Sequence, residues 1–293
     1  MSSTGALTRT WAVARIGYRV PRKRFDGVVQ GVFSRACYID CGRSLLTLAA
    51  AGVADGPTTL VLGAEAPADL RSIFTPGDAL RCRGGRVVGR RVVLELGRAR
   101  TWRACEPPSL LDGRDVAARI ALARACLAEA RRARSSVLDR SGGAEIAGVE
   151  HACLRLDVAD ALPRVERFVG WGEGLTPAGD DYLVGLCAAL GALVQGDAAR
   201  RAFLVGVRRF LASRCARTTP ISAHGLVLAS RGHFNAGVLR ALDALRSDRD
   251  ADDARVAFDE LMAAGATSGA DALTGILSGF AAWTRPPIGQ PAQ

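Results

Sequence analysis

Hydrophobic residues in the first 105 positions form short alternating or continuous blocks, bounded by glycine, proline or aspartate. This spacing is typical of β-strands. The predicted strands are residues 28–33, 45–48, 58–62, 79–83, 86–88, 91–96 and 98–102. Gly84-Gly85, between two of these strands, predicts a hairpin. Strands this short and closely spaced favour a small antiparallel barrel or sandwich.

The pattern changes to helical spacing after Glu106-Pro107-Pro108-Ser109, which is therefore the predicted domain boundary. The predicted helices are residues 116–137, 159–169, 177–194, 198–214, 220–230, 236–246, 252–264 and 268–283. Residues 148–156 fit either a strand or a loop. The sequence thus predicts an α+β protein with a β-rich domain over 1–105, a helical domain over 106–285 and a disordered tail over 286–293.

A glycine-rich helix start over residues 172–185 dominates the helical half. Thr176 suits the N-cap position, and Pro177 suits the first helical position, where no N–H is needed. Asp180 and Asp181 follow within about one turn and precede a nearly continuous apolar run. Because the loop before the helix lacks bulky side chains, an anion can approach the N–H groups at the positive end of the helix.

A second stretch, residues 265–275, repeats this order of glycine, threonine, aspartate and glycine. Gly185 and Gly275 each lie four residues after an aspartate, on the same helical face, where they permit close approach of another helix. We therefore expect two similar helix starts that face one another across one site. Thr219-Pro220 predicts a third helix start, with Arg217 just before it.

Converging helix starts of this kind would bind a phosphate or a carboxylate through backbone N–H groups, hydroxyls and an arginine. The candidate binding residues are Gly174, Thr176, Gly179, Arg217, Thr218, Thr219, Thr267, Ser268 and Gly269. The candidate catalytic residues are Asp180, Asp181 and Asp271, which could orient an amide or amine nitrogen or act as a base. Two alternatives stay open: the carboxylates hold Mg²⁺, or the threonines only cap their helices and the aspartates complement the helix dipoles.

Composition narrows the function classes. No apolar run reaches the roughly 20 residues of a membrane span, and the N-terminus does not resemble a secretory signal, so a cytoplasmic protein is expected. The eight cysteines are spread through apolar segments, which favours small buried hydrophobes over disulfides or zinc ligands.

The net charge of +10 comes almost entirely from arginine. Coding bias explains this better than nucleic-acid binding, although a small acidic substrate or an acidic partner subunit is compatible with it.

The motif Gly-x-Gly-Leu-Thr-Pro-x-Gly-Asp-Asp-x-Leu-x-Gly, together with Arg217-Thr218-Thr219 and Thr267-Ser268-Gly269-x-Asp271, resembles a family long labelled a domain of unknown function. One branch of that family is the AllH-type subunit of oxamate carbamoyltransferase, from anaerobic allantoin degradation. The resemblance is specific over roughly the C-terminal half. It implies a bacterial, cytoplasmic subunit that works beside other subunits, one of them similar to acyl-CoA synthetases.

The same resemblance, together with the paired helix starts, indicates transfer of a carbamoyl group between phosphate and oxamate or a similar small amide or amine. No cofactor is expected other than a possible Mg²⁺ held by the carboxylates. Cys215-Ala216-Arg217-Thr218 matches the Ser-Thr-Arg-Thr signature of the aspartate and ornithine carbamoyltransferases only in Arg-Thr. Carbamoyl chemistry here would therefore use another scaffold. The competing hypothesis is a non-catalytic scaffolding or ligand-binding subunit whose glycine-rich helix starts pack against partners.

Overall fold

A computed structural model of the chain describes residues 9–42, 44–104, 113–247 and 250–284. The chain divides into two compact units, Met1–Cys105 and Glu106–Gln293. The first unit contains strands and the second contains helices, so the predicted α+β class is confirmed. The predicted tail over 286–293 and the boundary segment over 106–109 lie outside the described residues.

The first unit is a closed β-barrel. Its strands are β1 (Arg9–Gly17), β2 (Arg24–Val32), β3 (Ala36–Asp40), β4 (Leu45–Ala49), β5 (Thr59–Leu62), β6 (Ala79–Arg83), β7 (Arg86–Val88), β8 (Val92–Glu95) and β9 (Arg100–Trp102). The strand order is β5-β4-β3-β2-β6-β7-β8-β1, and pairing of β1 with β5 closes the ring, while β9 adds to β1. The pairs β1–β8, β1–β9 and β4–β5 are parallel, so the barrel is mixed rather than wholly antiparallel.

Side chains alternate between buried and exposed positions along the strands, and the buried ones fill the barrel. In β2, Phe25 and Val29 are buried while Arg24 and Asp26 are exposed. Strands β1 and β3 were not among the individual predicted strands. Both alternate in the same way once the fold is known: Trp11 and Val13 point inward from β1, and Cys37 and Ile39 from β3. Such alternation of buried and exposed positions is what a strand with one solvated face requires.

The described part of the second unit contains ten α-helices. They are α1 (Gly113–Ala133), α2 (Val137–Ser141), α3 (Gly143–Arg155), α4 (Val158–Phe168), α5 (Ala178–Leu193), α6 (Ala198–Arg214), α7 (Pro220–Ser230), α8 (Ala236–Arg246), α9 (Ala251–Met262) and α10 (Ser268–Trp283). The predicted helix over 116–137 is interrupted because Ser136 and Asp139 form a capping box that begins α2. The expectation of a strand or loop over 148–156 is wrong, because Val149, Ala152 and Cys153 bury one face of α3.

Helices α5 and α10 make the most extensive contact between any two described elements. A Cβ on Gly185 would lie 1.9 Å from the carbonyl oxygen of Ala272, and a Cβ on Gly275 would lie 1.9 Å from that of Tyr182. The contact is reciprocal: Gly185 and Gly275 are 90 positions apart, as are Tyr182 and Ala272, so each glycine meets the equivalent residue of the opposite helix. The two predicted glycine positions therefore bring the two motif helices together backbone to backbone.

Most of the described cysteines lie in the hydrophobic cores of the two units. The seven described cysteines, Cys37, Cys41, Cys82, Cys126, Cys153, Cys187 and Cys215, are all free thiols, and five of them are buried. Burial raises the pKa of the Cys187 thiol to about 11, so it stays protonated and packs as a small apolar group. None of the described helices is both long enough and apolar enough to cross a bilayer.

Candidate functional site

The two glycine-rich helix starts meet in space. The hydroxyl oxygens of Thr176 and Ser268 lie 2.7 Å apart and share a hydrogen bond, although the residues are 92 positions apart. Helix α5 begins at Ala178, with Pro177 as its N-cap, so Thr176 is not the N-cap that the sequence predicts. Thr267 is the N-cap of α10. Neither N-cap residue makes a side-chain capping bond, and the hydroxyl of Thr176 reaches across to α10 instead.

Glycine serves two purposes around these helix starts. Gly172 and Gly174 have φ values of +119° and +90°, in the left-handed region that favours glycine, and Gly174 is exposed with open space where a side chain would be. Gly179 and Gly269 allow close packing: a Cβ on each would lie 2.1 Å from the carbonyl oxygen of Phe168 and 1.8 Å from that of Leu261, respectively. These last two predicted binding residues therefore fix the positions of their helix starts.

Asp181 lies beside this junction. It is half-buried, and its Oδ2 atom is buried without a hydrogen-bond partner among the described residues. Burial raises the pKa of the Asp181 carboxyl well above its usual value, and the negative charge of Asp271 raises it further. Hydrogen bonds from Ser268 and Thr176 act in the opposite direction on that pKa. The net effect favours the protonated acid at Asp181.

Asp271 is fully buried and is anchored from outside the motifs. Its Oδ1 atom accepts hydrogen bonds from Arg131 Nη2 at 2.6 Å and from Ser136 Oγ at 2.7 Å. Its Oδ2 atom is buried without a partner in the described part of the chain. Arg131 is only 11% exposed, and its Nε atom lies 3.0 Å from Asp139 Oδ1. Its Nη1 atom and, by hydrogen-bond geometry, its Nε atom are also buried without a described hydrogen-bond partner.

Asp180 is not part of this pair. Its Oδ1 atom accepts the Gly170 N–H at 2.9 Å, and its Oδ2 atom accepts the hydroxyls of Thr218 at 2.5 Å and Ser222 at 2.7 Å. The carboxylate is buried and has described hydrogen-bond donors on both oxygens, so it ties the loop before α5 to the start of α7. The structure therefore separates the two adjacent aspartates and brings Asp181, rather than all three candidate carboxylates, to Asp271.

The third predicted helix start, at Thr219, contacts the loop before α5 and does not join the starts of α5 and α10. Thr219 caps α7 by accepting the Ser222 N–H at 3.2 Å, and its hydroxyl donates to the carbonyl oxygen of Leu175. Arg217 pairs with Glu166 at the surface, with 61% of its side chain exposed. Among the described residues, no group of three or more His, Cys, Asp or Glu side chains is arranged to hold a metal ion.

Arg131 and Ser136 are the contacts that sequence reasoning missed. The run Arg131-Arg132-Ala133-Arg134 has the appearance of a solvated helix face, and only Arg131 of the three arginines turns inward. A local signal was present at the other partner, since Ser136-x-x-Asp139 is a capping-box spacing. That spacing predicts the start of α2, but it does not predict that the capping hydroxyl also reaches Asp271, 135 positions away.

Comparison with known families matches both units. The model of the oxamate carbamoyltransferase subunit AllH matches residues 168–280, which contain Asp181 and Asp271. The model of the AllH family N-terminal domain matches residues 9–101, which contain the barrel. Comparison with curated proteins and with solved structures found no match to either part of the chain.

Proposed function

This chain belongs to the AllH family, and we propose that it is a carbamoyltransferase subunit that holds the reacting nitrogen of oxamate, or of a similar small amide or amine, between Asp181 and Asp271. The observation that carries the proposal is that each of these neighbouring carboxyl groups has a buried oxygen without a described partner. Buried polar atoms are nearly always hydrogen-bonded, because leaving one unpaired costs about 1–3 kcal/mol. The N–H groups of an amide supply the missing donors.

The proposed acid is Asp181. In the breakdown of oxalurate, an oxygen of phosphate attacks the carbamoyl carbon, a C–O bond forms and the C–N bond to oxamate breaks. The departing nitrogen then needs a proton, which the protonated Asp181 carboxyl donates. In the reverse direction the same group takes that proton back as the nitrogen attacks carbamoyl phosphate. A raised pKa suits a group that must hold a proton near neutral pH.

Asp271 has a different role in the proposal. Arg131 and Ser136 both donate to its Oδ1 atom and hold the carboxyl group in place. In the proposal Asp271 accepts an N–H from the substrate, and its negative charge favours retention of the proton on Asp181. Asp181 then supplies the proton and Asp271 positions the nitrogen. The two aspartates have different proposed roles because their surroundings differ.

The anionic part of the reaction is assigned to the helix starts. Neither N-cap residue, Pro177 of α5 or Thr267 of α10, makes a side-chain capping bond, and glycine keeps the loop before α5 open. Helix N-termini of this kind favour phosphate or carboxylate groups. The proposal places such a group near Thr176, Ser268 and Gly174. It also places the enzyme in the bacterial cytoplasm, in allantoin degradation.

The competing scaffold hypothesis loses its main support. It takes Gly185 and Gly275 as contact points for partner subunits, but both glycines are covered by the opposite helix of the same chain. They therefore explain how α5 and α10 pack, and they leave no glycine surface for a partner at these positions. Assembly with other subunits is part of the proposed function, but it needs another surface.

The test is turnover by the assembled enzyme. We expect Asp181→Asn to lower the rate of carbamoyl phosphate formation from oxalurate and phosphate by about 10²–10⁴-fold while assembly stays intact. Asp259→Asn, an exposed carboxylate on α9, is the matched control and should keep full turnover. Running both assays with and without Mg²⁺ tests the metal alternative. Full turnover by the Asp181 variant, or lost assembly with residual turnover, would refute the catalytic role.

A further inference from the structure

The net charge of the chain lies entirely in the barrel unit. Residues 1–105 contain 17 of the 39 Lys and Arg residues but only 7 of the 29 Asp and Glu residues, so this unit carries all of the +10 charge. Residues 106–293 contain 22 basic and 22 acidic residues and have no net charge. Coding bias toward arginine acts on both halves of a gene, so it does not explain a difference of this size. Coding bias, which whole-chain composition favours, is therefore an incomplete explanation of the net charge.

Seven of the basic side chains of the barrel lie at one end. We define the basic rim as seven exposed residues: Arg22, Lys23, Arg24, Arg83, Arg86, Arg98 and Arg100. They come from the segment before β2 and the first residue of β2, from both sides of the β6–β7 hairpin, and from the segment between β8 and β9 and the first residue of β9. None of them belongs to the candidate site in the helical unit.

Strand register and hydrogen bonds hold these segments together. Arg24 on β2 pairs with Arg83 on β6, and Arg83 pairs with Arg86 on β7. Arg22 Nη2 donates to the carbonyl oxygen of Ala99 at 2.9 Å, which brings the first segment against the last. The seven charges therefore share one surface instead of being scattered around the barrel.

This arrangement leaves charge uncompensated. Like charges directly opposite on neighbouring strands are destabilising, and the rim contains two such pairs in succession. Among the described residues, two acidic side chains pair with rim arginines: Asp26 with Arg83 at 2.9 Å and Glu95 with Arg86 at 2.9 Å. Seven basic groups against two acidic ones leave a strongly positive surface. Such a surface steers an oppositely charged partner toward it.

We propose that the basic rim is the surface through which this chain docks on a carboxylate-rich surface of another protein subunit of its enzyme. The family description, a subunit of a carbamoyltransferase, supplies the expectation of such partners. Arginine suits this role because its planar group forms paired hydrogen bonds with carboxylates. The family description favours a protein partner over single-stranded nucleic acid, and the experiment below tests nucleic acid directly.

The experiment compares two triple charge reversals in the full-length chain. The rim variant carries Lys23→Glu, Arg24→Glu and Arg98→Glu. The matched control carries the same change on exposed arginines of the helical unit, namely Arg124→Glu, Arg201→Glu and Arg209→Glu. Both sets change the net charge equally and leave Asp181, Asp271 and Arg131 untouched. The melting temperature of each variant establishes that it is folded, and a Lys23→Gln, Arg24→Gln, Arg98→Gln version replaces any reversal that is not.

The measured quantity is the dissociation constant for the other purified subunits of the enzyme at about 0.05 M and 0.3 M NaCl. We expect the rim variant to bind about tenfold or more weakly than wild type at low salt, the control to bind as wild type, and wild-type binding to weaken with salt. Equal binding by the rim variant, or equal loss in both variants, would overturn the proposal. Binding of short single-stranded DNA or phosphatidylserine vesicles that the rim variant loses, while the rim variant binds the subunits as wild type does, would also overturn it.

Discussion

Thr176 and Ser268 share a hydrogen bond of 2.7 Å between their hydroxyl oxygens, and this contact joins the starts of α5 and α10. The reciprocal contacts of Gly185 with Ala272 and of Gly275 with Tyr182 continue the junction along the two helices. Asp181 and Asp271 follow these helix starts and so come to lie together. The repeated sequence motif thus places two carboxyl groups close enough for the charge of one to act on the other.

The two adjacent aspartates of α5 should behave differently when removed. Asp180→Ala leaves the Gly170 N–H and the hydroxyls of Thr218 and Ser222 without their acceptor, so we expect the free energy of unfolding to fall by roughly 2–4 kcal/mol. Ser222→Ala removes one donor and should cost about 1 kcal/mol. Urea denaturation measures both. Assembled Asp180→Ala enzyme should keep most of its turnover, and a loss as large as that of Asp181→Asn would contradict the structural role.

The raised pKa of Asp181 predicts a pH dependence of stability. A carboxyl whose pKa is higher in the folded protein than in the unfolded chain binds more protons when folded, so its contribution to stability falls as pH rises above about 3.8 and through the folded pKa. Asp181→Asn removes this dependence. The stability of the variant relative to wild type should therefore increase from pH 4 to pH 8. Parallel curves for the two proteins in thermal denaturation would show that Asp181 ionises normally.

The glycine contacts between α5 and α10 predict a large packing effect. A methyl group at Gly185 would lie 1.9 Å from a backbone carbonyl oxygen, so Gly185→Ala must push the helices apart and should cost about 3 kcal/mol or more. Gly225 in α7 has open space around its Cβ position, and Gly225→Ala should instead stabilise by about 0.5–1 kcal/mol. Melting temperatures of the two variants should move in opposite directions. A tolerated Gly185→Ala would mean that the helices are not in backbone contact.

Two arginines, one buried and one exposed, should differ in importance. Arg131 is buried against Asp271, so Arg131→Gln leaves an uncompensated buried carboxylate and should cost about 3–5 kcal/mol. Arg217 pairs with Glu166 at the surface, and Arg217→Gln should cost about 0–1 kcal/mol. Chemical denaturation separates these outcomes. Phosphate binding by Arg217→Gln should equal that of wild type, and a clear loss would restore Arg217 to the binding site.

Local signals explain which parts of the fold were predictable. Helices α6 and α7 have the predicted bounds because Asp197 and Thr219 cap them, and α7 begins with proline. The α3 helix was missed because Gly143 and Gly148 weaken its periodicity, and its burial depends on neighbours that a local pattern does not contain. The barrel class follows from short alternating runs. Its closure through β1 and β5, and its parallel pairings, depend on partners that are distant in sequence.

The candidate site also combines features that local sequence predicts with features that it does not. The repeat of Asp-x-x-x-Gly predicts that Asp181 and Asp271 occupy equivalent places, and their helices do pack face to face. The choice between Asp180 and Asp181 was not decidable, because adjacent helical residues point about 100° apart and either could face the second motif. The role of Arg131 could not be predicted for a different reason. Its contact with Asp271 joins residues 140 positions apart, and such a contact leaves no local sequence pattern.

The most direct test of the central claim is an experimental structure of the assembled enzyme with oxamate and phosphate bound. The account predicts that the oxamate nitrogen lies within hydrogen-bond distance of Asp181 Oδ2 or Asp271 Oδ2 and that phosphate lies at the starts of α5 and α10. Ligands bound elsewhere in the enzyme, with these two carboxyl oxygens still without a partner, would contradict the account.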